Sequence, residues 1–510
     1  MTRTLGEILP NAARRYGDST ALIVNDRTFS YRELDRLSNC IANGLAAANV
    51  QPGDRVALYG PNCWEWLVAY YGIVKTGAAV NPIDVMLTHE EVRFVVEDSG
   101  ARAVIASCDK GRSLLDLKGR VNLSDVMLWG DAKTGALSFD DCLRQGKPQF
   151  EAAPRRPTDP ASICYTSGTT GFPKGALHCH RAAVWAFVGT ALMAARSRND
   201  RFVTALPLAH LYGGCVFNAT FMCGATLILM PRFEEATMLS AISKHRATML
   251  DGVPTMYYYL LAHRDLEKYD LSSLTRCWTG GQTLPAAKSL EFTERVGCPV
   301  HEVWGMTELA GPASANPAVG LNKPGTAGIA YLGNEMRVVD IDDPHVVLGP
   351  SQRGELMFRG PMVMDGYYGN DKATRETIEP DGWLHSGDIA TVDEDGYFTI
   401  VDRKKDMILT AGFNVYPAEL ERVLCMHPAI ALAAVAGVPD EAKGELAKAY
   451  VMLKPTCSLT KHALVQHCRE HLAAYKVPRA VQFVEDVPKT STGKIMRRNL
   501  INIDDGTRSL

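Results

Sequence analysis

The chain has 510 residues, of which 46% are hydrophobic and 22% are charged, and this composition is typical of a soluble globular protein. Its length predicts two to four domains, or one large domain with a smaller one. The formal net charge of −3 excludes the strongly basic surface by which proteins bind nucleic acid or anionic membranes.

The first hundred residues alternate between helix and strand patterns. An amphipathic segment at 5–12 predicts an N-terminal helix, and its apolar run is too short for a signal peptide. Capping boxes at Ser30–Glu33 and Thr88–Glu91 predict the first turns of two further helices. The other predicted elements are strands at 55–59, 78–81 and 103–107 and a Trp-rich helix at about 62–76. Short apolar strands between helices indicate parallel, doubly wound α/β structure.

A phosphate-binding loop is predicted where an apolar strand at 163–165 opens into the string YTSGTTGFPKGA. Its backbone N–H groups and hydroxyls converge on one point, as in loops that bind phosphate oxygens. It differs from the common nucleotide-binding loop, because Gly175 and not Ser or Thr follows Lys174. The predicted phosphate-binding residues are Thr166, Ser167, Gly168, Thr169, Thr170, Gly171 and Lys174.

Two later segments carry no charged side chain. Residues 182–195 are too few for a membrane span and predict a buried helix. Residues 202–231 are broken by prolines and glycines, and we interpret them as buried strands and a helix around a cavity. No integral membrane segment is expected, while a peripheral membrane association stays open.

The thirteen cysteines are scattered and include no C-x-x-C pair, so neither a disulfide framework nor a zinc site is indicated. Reduced thiols in the cytoplasm are the expected state. The triplet His178-Cys179-His180 is interpreted as a surface or helix-start cluster, because adjacent helical residues point in different directions.

A domain boundary is predicted near 402–405. A strand at 396–401 precedes the charge run Asp402-Arg-Lys-Lys-Asp406, and the remaining hundred residues alternate strand and helix again. That length is enough for a modest separate core.

The phosphate loop resembles the signature of the adenylate-forming superfamily, which contains acyl-CoA synthetases, luciferases and the adenylation domains of peptide synthetases. The other matching strings follow in the family's order and are LPLAHLYGG, TGGQTLP, VWGMTE, GWLHSGDIA, DRKKDMILTAGFNVYPAELE and PKTSTGKIMRR. They span nearly the whole chain, and the resemblance is closest to the acid–CoA ligases.

The resemblance implies an α/β fold with a large N-terminal domain of doubly wound mixed sheets and a small, mobile α+β domain. Residues 1–402 would bind AMP and the acyl group, and residues 403–510 would carry the catalytic lysine. The implied reaction activates a carboxylic acid with ATP to acyl-AMP, with Mg²⁺ present, and then forms a thioester with CoA.

Roles at the phosphates follow from the same resemblance. Lys494 would bridge the acid's carboxylate and the α-phosphate, and Thr307 would hydrogen-bond that phosphate. Glu308 would hold Mg²⁺, which suits a single carboxylate with phosphate oxygens and water. Trp304, followed by Gly305 and Met306, would stack on adenine, although a core aromatic is an equally good interpretation.

The nucleoside and acyl sides draw on further motifs. Asp388 would accept from the ribose hydroxyls and Arg403 would reach the same ribose, while Gln282 lines the adenine. His210 would gate the acyl site near the carboxylate. The predicted acyl-pocket residues are His210, Tyr212, Tyr257, Gly280, Gly281 and Met306.

The second half-reaction is implied by the segment around Gly412 and Phe413, which the family brings to the site for CoA. Lys405 would be the hinge about which the small domain turns. Gly412 would let the backbone approach a thin pantetheine arm closely, because glycine has no side chain.

The acid and its acceptor are predicted less sharply. Leu211 stands where amino-acid-activating relatives place an Asp, so we expect a monocarboxylate with an apolar body, either a fatty acid or an aromatic or alicyclic acid. Loading of a free-standing carrier protein is the alternative. Two further hypotheses are a nucleotide-binding protein without ligase activity and an enzyme with luciferase-like chemistry. The sequence leaves open whether the protein is a homodimer.

Overall fold

The computed structural model describes residues 2–119, 121–130, 135–166, 173–410, 413–440, 444–455, 457–490, 493–500 and 503. Among these residues, no helix combines the length and the apolar character that crossing a membrane requires.

The α-helices of the described residues are α1 (Ile8–Tyr16), α2 (Tyr31–Ala47), α3 (Trp64–Lys75), α4 (His89–Asp98), α5 (Cys108–Gly111), α6 (Phe139–Gln145), α7 (His180–Met193), α8 (Leu211–Cys223), α9 (Glu235–His245), α10 (Pro254–Ala262), α11 (Ala286–Val296), α12 (Asp371–Thr377), α13 (Pro417–Cys425) and α14 (Lys461–His471). Short 3₁₀ segments lie at Leu5–Glu7, Arg112–Leu117, Leu266–Lys268, Thr307–Leu309, Lys404–Asp406 and Arg497–Asn499.

The strands of the described residues are β1 (Thr20–Val24), β2 (Arg27–Ser30), β3 (Arg55–Tyr59), β4 (Ala79–Ile83), β5 (Ala103–Ser107), β6 (Asp125–Trp129), β7 (Leu137–Ser138), β8 (Pro160–Tyr165), β9 (Gly175–Cys179), β10 (Arg201–Thr204), β11 (Thr226–Leu229), β12 (Met249–Gly252), β13 (Arg276–Gly280), β14 (Val300–Met306), β15 (Gly311–Ala315), β16 (Ile329–Ala330), β17 (Glu335–Val339), β18 (Gly354–Arg359), β19 (Gly366–Tyr367), β20 (Leu384–Val392), β21 (Phe398–Arg403), β22 (Ile408–Thr410), β23 (Phe413–Val415), β24 (Ile430–Asp440), β25 (Gly444–Leu453) and β26 (Ala480–Phe483).

Two large mixed sheets form the N-terminal part. One has the order β19-β9-β8-β4-β3-β5-β6-β7 and is parallel from β8 to β7, with β9 and β19 added antiparallel. The other has the order β16-β15-β14-β13-β12-β10-β11-β1-β2 and is parallel from β14 to β1, with antiparallel edges. Buried strands of this kind read as continuous apolar runs, which is why β3 and β5 were predicted at their observed bounds.

Two smaller sheets complete the fold. Strands β17, β18, β20 and β21 form an antiparallel sheet, and β22 to β26 form a five-stranded sheet in the C-terminal part. The latter has its own apolar core, which includes Ile408, Leu420 and Val451. The predicted α/β class, with a large N-terminal and a smaller C-terminal part, is confirmed. The boundary at residue 402 falls near the end of β21 and stays a prediction.

Helix starts follow their capping residues. The side chain of Thr88 accepts from the backbone of Glu91, and Glu91 bonds back, so the capping box of α4 is complete. At α2 the Ser30 side chain accepts from the backbone N–H of Glu33, so the side-chain half of that box is present. Both helices begin at the residue after the cap, as the sequence predicts.

The uncharged segments have the predicted forms. Residues 202–231 contain β10, α8 and β11, and residues 182–195 lie mainly in α7. Helix α8 is hydrogen-bonded to α3, because the Tyr71 phenol donates to Asn218 over 2.9 Å. Asn62 adds a bond to the carbonyl of Leu206 over 3.0 Å. The cavity predicted in this segment lies beside α8.

Candidate active site

The carboxyl ends of β13 and β14 meet at one edge of their sheet, where α/β proteins bind ligands. Beyond β13 lie Gly281 and Gln282, and beyond β14 lies the short segment Thr307–Leu309. Gly305 permits this arrangement, because a Cβ atom there would collide with the carbonyl of Gly311 on β15. The motifs TGGQTLP and VWGMTE are therefore neighbours in space.

Lys494 enters this edge from the C-terminal part of the chain. Gly281 has φ +90°, and a Cβ atom placed on it would lie 2.7 Å from Cε of Lys494. The two neighbours of Lys494 are hydrogen-bonded to the N-terminal part. The Thr255 hydroxyl donates to the carbonyl of Gly493 over 2.9 Å, and the Ile495 N–H donates to Gln282 Oε1 over 3.2 Å. A glycine at 281 thus makes room for the lysine stem.

Burial, and then the charge of Arg403, lower the pKa of Lys494 to about 8, while the charge of Asp388 opposes the shift. The pKa of His210 falls to about 3, because burial and then the charge of Lys494 disfavour imidazolium. His210 is therefore neutral beside a cation. Because the lowered pKa makes the protonated lysine less stable than usual, an incoming carboxylate or phosphate would stabilise that charged form.

Asp388 and Arg403 are cross-strand partners on β20 and β21. Asp388 is buried, its Oδ2 accepts from the indole N–H of Trp304 over 2.7 Å, and its Oδ1 lies 3.4 Å from Nε of Arg403. Trp304 is also buried, with Phe358 as an aromatic neighbour. Its indole thus fixes the carboxylate predicted to bind ribose, a contact that the sequence does not reveal.

The segment Thr307–Leu309 is held by β9 and by the chain around β19. Nε2 of His178 donates to the carbonyl of Thr307 over 2.7 Å, and the N–H of Met364 donates to the carbonyl of Glu308 over 2.9 Å. The phenol of Tyr367 donates to Oε1 of Glu308 over 2.6 Å. Among the described residues, Oε2 of Glu308 has no hydrogen bond, so one carboxylate oxygen is available to a ligand.

His178 corrects one prediction. The triplet containing it was interpreted as a surface or helix-start cluster, and His180 does begin α7, but His178, Cys179 and His180 are all buried. Burial lowers the pKa of His178 to about 4. Because a carbonyl only accepts, Nε2 carries the proton and Nδ1 accepts from the Ser162 hydroxyl at 3.3 Å.

The phosphate loop is described at its two ends. The N–H of Thr166 donates to the carbonyl of Lys174 over 2.9 Å, which closes the loop. Nζ of Lys174 lies 5.1 Å from the ring centroid of Tyr367. The predicted residues Ser167, Gly168, Thr169, Thr170 and Gly171 lie outside the described residues.

The region predicted to bind the acyl group lies around His210 and α8. A mainly apolar cavity of about 30 Å³ lies here. The residues that line it include Tyr70, Ala183, Phe187, His210, Leu211 and Gly214. Tyr212 is buried, and its ring lies 3.4 Å from the Cβ position of Gly280. Gly280 must lack a side chain, because a Cβ atom would collide with Val303.

Two predicted acyl-pocket residues have other described contacts. Tyr257 is fully buried, its phenol donates to the carbonyl of Trp278 over 2.8 Å, and its ring packs on Phe292. Met306 ends β14 and is half-buried. Their place in the pocket stays a prediction.

The residues predicted for the second step are Gly412, Phe413 and Lys405. Gly412 is outside the described residues. Phe413 is 52% exposed and stacks on Tyr475, with ring centroids 4.6 Å apart, so this contact lies within the C-terminal part. Lys405 lies in the 3₁₀ segment between β21 and β22, and burial with the charge of Arg403 lowers its pKa.

Comparisons with known proteins found relatives over nearly the whole length of this chain. The family of AMP-binding enzymes matches residues 9–368, and the C-terminal domain of AMP-binding enzymes matches residues 419–494. The long-chain-fatty-acid–CoA ligase of Bacillus subtilis (strain 168) is 32% identical over 534 residues, covering 98% of this chain and 94% of the relative. The feruloyl-CoA synthase of Amycolatopsis sp is 36% identical over 502 residues, covering 97% of each chain.

A solved structure is similar over the same length. The anthranilate CoA ligase AuaEII in complex with anthranoyl-AMP aligns with a TM-score of 0.91 at 30% identity. The alignment covers 99% of this chain and 98% of that chain.

Proposed function

This chain belongs to the AMP-binding enzyme family and is an AMP-forming acid–CoA ligase, and we propose that its acid is a monocarboxylate with an apolar body. The observation that carries the adenylation step is the position of Lys494, which is within electrostatic reach of Arg403 and Asp388 and of the neutral His210. It places a cation where the acid and the nucleotide would meet.

In the first step a carboxylate oxygen attacks the α-phosphorus of ATP, the bond to the leaving diphosphate breaks, and acyl-AMP and pyrophosphate form. Two anions react, so the barrier depends on neutralising their charges and on in-line geometry. Lys494 supplies the charge, Thr307 donates to the α-phosphate, and Asp388 with Arg403 orients the ribose. The flanks of the phosphate loop, Thr166 and Lys174, serve the remaining phosphates.

Mg²⁺ would enter as the partner of ATP. Glu308 has the ligand chemistry that Mg²⁺ requires, since one of its carboxylate oxygens is free while Tyr367 occupies the other. A hard cation that keeps several waters and binds phosphates needs no more than one or two protein carboxylates. This agrees with the absence, among the described residues, of any group of three or more His, Cys, Asp or Glu that could hold a metal.

Glu308→Gln is expected to raise the Mg²⁺ concentration for half-maximal adenylate formation and to slow that step, because a neutral amide is a poorer ligand for a hard cation. The measurement is pyrophosphate release across a magnesium titration. The matched control is Glu302→Gln on β14, the strand that leads into the segment holding Glu308: burial raises the pKa of Glu302 to about 8, so its charge is already suppressed. An unchanged titration in Glu308→Gln would remove Glu308 from the metal site.

In the second step the CoA sulfur, having lost its proton, attacks the acyl carbonyl carbon, and AMP leaves. We propose that the C-terminal part turns about Lys405 between the steps, exchanging Lys494 for the segment around Gly412 and Phe413. Expression in the cytoplasm, where ATP and CoA are available and thiols stay reduced, agrees with the free state of all thirteen cysteines.

The acid is inferred from the chemistry around His210. The cavity beside α8 is mainly apolar, and Leu211 on its wall offers no partner to an ammonium group. A cation behind Tyr212, Arg196, is buried and already paired with Asp251 at 3.3 Å. An apolar monocarboxylate leaves no charge unpaired here, whereas a second carboxylate or an ammonium group would be desolvated without compensation.

Catalytic efficiency is expected to rise with the apolar size of the acid. Each buried CH₂ contributes roughly 0.8 kcal/mol, or about a fourfold gain in kcat/KM, until the pocket is full. Acetate is therefore expected to be a poor substrate. The resemblance of the segment at 413–416 to fatty-acid ligases favours fatty acids over aryl acids. The measurement is pyrophosphate release and CoA thioester formation with acetate, hexanoate, dodecanoate, benzoate, malonate and phenylalanine.

Gly214→Leu gives a structural control for this series. Gly214 lines the cavity, and a Cβ atom there meets nothing within 4 Å, so a side chain at this position begins without a collision and competes with the acid for the cavity. It is expected to lower activity with dodecanoate while sparing hexanoate. Preference of the wild type for acetate, malonate or phenylalanine would contradict the proposed acid, and thioester formation only on a carrier protein would favour the alternative acceptor.

A further inference from the structure

Tyr367 lies between two groups of the active site that are far apart in sequence. It belongs to β19, which pairs antiparallel with β9, so that Tyr367 lies opposite Ala176. This pairing brings it beside the phosphate loop, which ends where β9 begins. Its N–H donates to the Thr374 hydroxyl over 2.9 Å, which fixes the backbone of the short strand to α12.

The phenol of Tyr367 contacts the metal side of the site. It is only 9% exposed, and it donates to Oε1 of Glu308 over 2.6 Å. Burial and the charge of Glu308 both raise the pKa of Tyr367, so the phenol keeps its proton and acts only as a donor here. Hydrogen bonds to an ionised carboxylate are among the stronger ones in proteins.

The ring of the same residue contacts the phosphate side. Nζ of Lys174 lies 5.1 Å from the ring centroid, within the range of a cation–π interaction. One tyrosine therefore touches the cation that closes the phosphate loop and the carboxylate assigned to the metal.

The backbone of Glu308 does not depend on Tyr367. Its carbonyl accepts from Met364, and the preceding carbonyl, of Thr307, accepts from His178. The phenol thus restrains only the carboxylate, whose rotation about the last side-chain bond is otherwise broad. With Oε1 occupied by the phenol, Oε2 is left with a fixed direction.

We propose that Tyr367 is a positioning residue for the metal-binding carboxylate: its hydroxyl holds Oε1 of Glu308 so that Oε2 faces the Mg²⁺ of ATP, and its ring seats Lys174 against the phosphates. This rests on the proposed role of Glu308. It adds a residue that touches neither the acid nor the nucleotide but sets the direction of the metal ligand.

The test uses Tyr367→Phe, which removes one oxygen atom and keeps the ring. We expect the Kd of the nonhydrolysable analogue AMPCPP in the presence of Mg²⁺, measured by calorimetry, to rise roughly 10-fold, the effect of one lost hydrogen bond to a charged group. Binding of AMPCPP in excess EDTA is expected to stay unchanged. The Mg²⁺ concentration for half-maximal pyrophosphate release is expected to rise in parallel.

The matched control is Tyr397→Phe. Tyr397 has the same two contacts outside the site: its phenol donates to the carbonyl of Leu321 over 2.6 Å, and Nζ of Lys323 lies 4.6 Å from its ring centroid. It therefore reports what loss of a phenol and of its hydrogen bond does to stability alone. We expect this variant to bind AMPCPP with Mg²⁺ as the wild type does.

Tyr367→Leu removes the ring as well. Loss of the seat for Lys174 is expected to weaken AMPCPP binding in EDTA too, which Tyr367→Phe leaves intact. This separates the ring from the hydroxyl.

Three outcomes decide the proposal. Unchanged magnesium dependence in Tyr367→Phe, with or without a lower Tm, would mean that the hydrogen bond is merely structural and would overturn the proposal. An equal loss of AMPCPP binding with Mg²⁺ and with EDTA would also overturn it. Wild-type binding that ignores Mg²⁺ would instead overturn the role of Glu308, and the proposal with it, while the ligase activity would be tested separately by thioester formation.

Discussion

Replacing Lys494 by alanine is expected to slow adenylate formation by roughly 10²–10³-fold, or about 2.7–4 kcal/mol of transition-state stabilisation. Formation of the thioester from supplied acyl-AMP is expected to continue at the wild-type rate. The physical reason is that the first step needs Lys494 to neutralise two reacting anions, whereas in the proposed rotation Lys494 has left the site before the second step begins.

The structure supports so large an effect because its surroundings hold Lys494 in a fixed position in the site. Its stem lies against Gly281, which has no side chain. The hydrogen bond that Thr255 donates to Gly493 and the one that Gln282 accepts from Ile495 fix the backbone on either side of it. Burial has already lowered its pKa to about 8, so the free-energy cost of burying the charged lysine is met on folding, before the substrates bind. Stabilisation that is preorganised in this way costs no rearrangement during the reaction.

Two half-reaction assays measure the effect: release of pyrophosphate in a single turnover, and thioester formation from acyl-AMP and CoA. The control is Lys489→Ala, which removes a cation from the same C-terminal segment. Lys489 pairs with Asp486, and its ammonium lies 5.1 Å from the ring centroid of Tyr259. Equal losses in both half-reactions of Lys494→Ala would show that Lys494 does not belong to the first step.

Local structure was predictable because its causes are local. The bounds of β3 and β5 follow from short apolar runs, and the start of α4 follows from Thr88 and Glu91, three residues apart. The fold class follows from the alternation of such strands with helices. The family was recognisable because seven strings occur in one order, although each string alone predicts little.

The contacts that complete the site were not predictable, because they join distant parts of the chain. Tyr367 is 59 residues from Glu308, and His178 is 129 residues from Thr307. Both depend on β9 and β19 pairing at the edge of a sheet, and no periodicity in the sequence gives that order. His178 illustrates the error that results: it was interpreted as part of a surface or helix-start cluster because adjacent helical residues point in different directions, whereas Ser162 and the Thr307 carbonyl satisfy it in the interior.

Lys405→Pro is expected to have the opposite signature to Lys494→Ala: acyl-AMP forms and accumulates, and little thioester appears. The structure has the C-terminal part in the orientation that inserts Lys494. Two contacts outside the site hold it there: Lys454 lies 3.1 Å from Glu291, and the phenol of Tyr259 donates to Asp486 over 2.8 Å. In this orientation Phe413 stacks on Tyr475 and not on the site.

Proline at 405 is compatible with the orientation described. Lys405 lies in the 3₁₀ segment Lys404–Asp406, and backbone φ in such a helix is about −50 to −70°, near the value that a proline ring imposes. In the proposed rotation of the C-terminal part about this segment, φ of residue 405 leaves that region, which a proline ring prevents. The variant is therefore expected to keep the first step and to lose the second, which needs the segment around residue 412 at the site.

The matched variant is Lys405→Ala, since Lys405 also carries a charge whose field reaches Asp388 and Glu308. Alanine removes the charge and leaves φ free, so both half-reactions are expected to proceed near the wild-type rates. The measurement is the ratio of acyl-AMP to thioester during turnover, with the thioester step also started from supplied acyl-AMP. If Lys405→Pro turned over normally, rotation about this segment would be excluded; if Lys405→Ala accumulated acyl-AMP as proline does, the charge and not the backbone would explain the block.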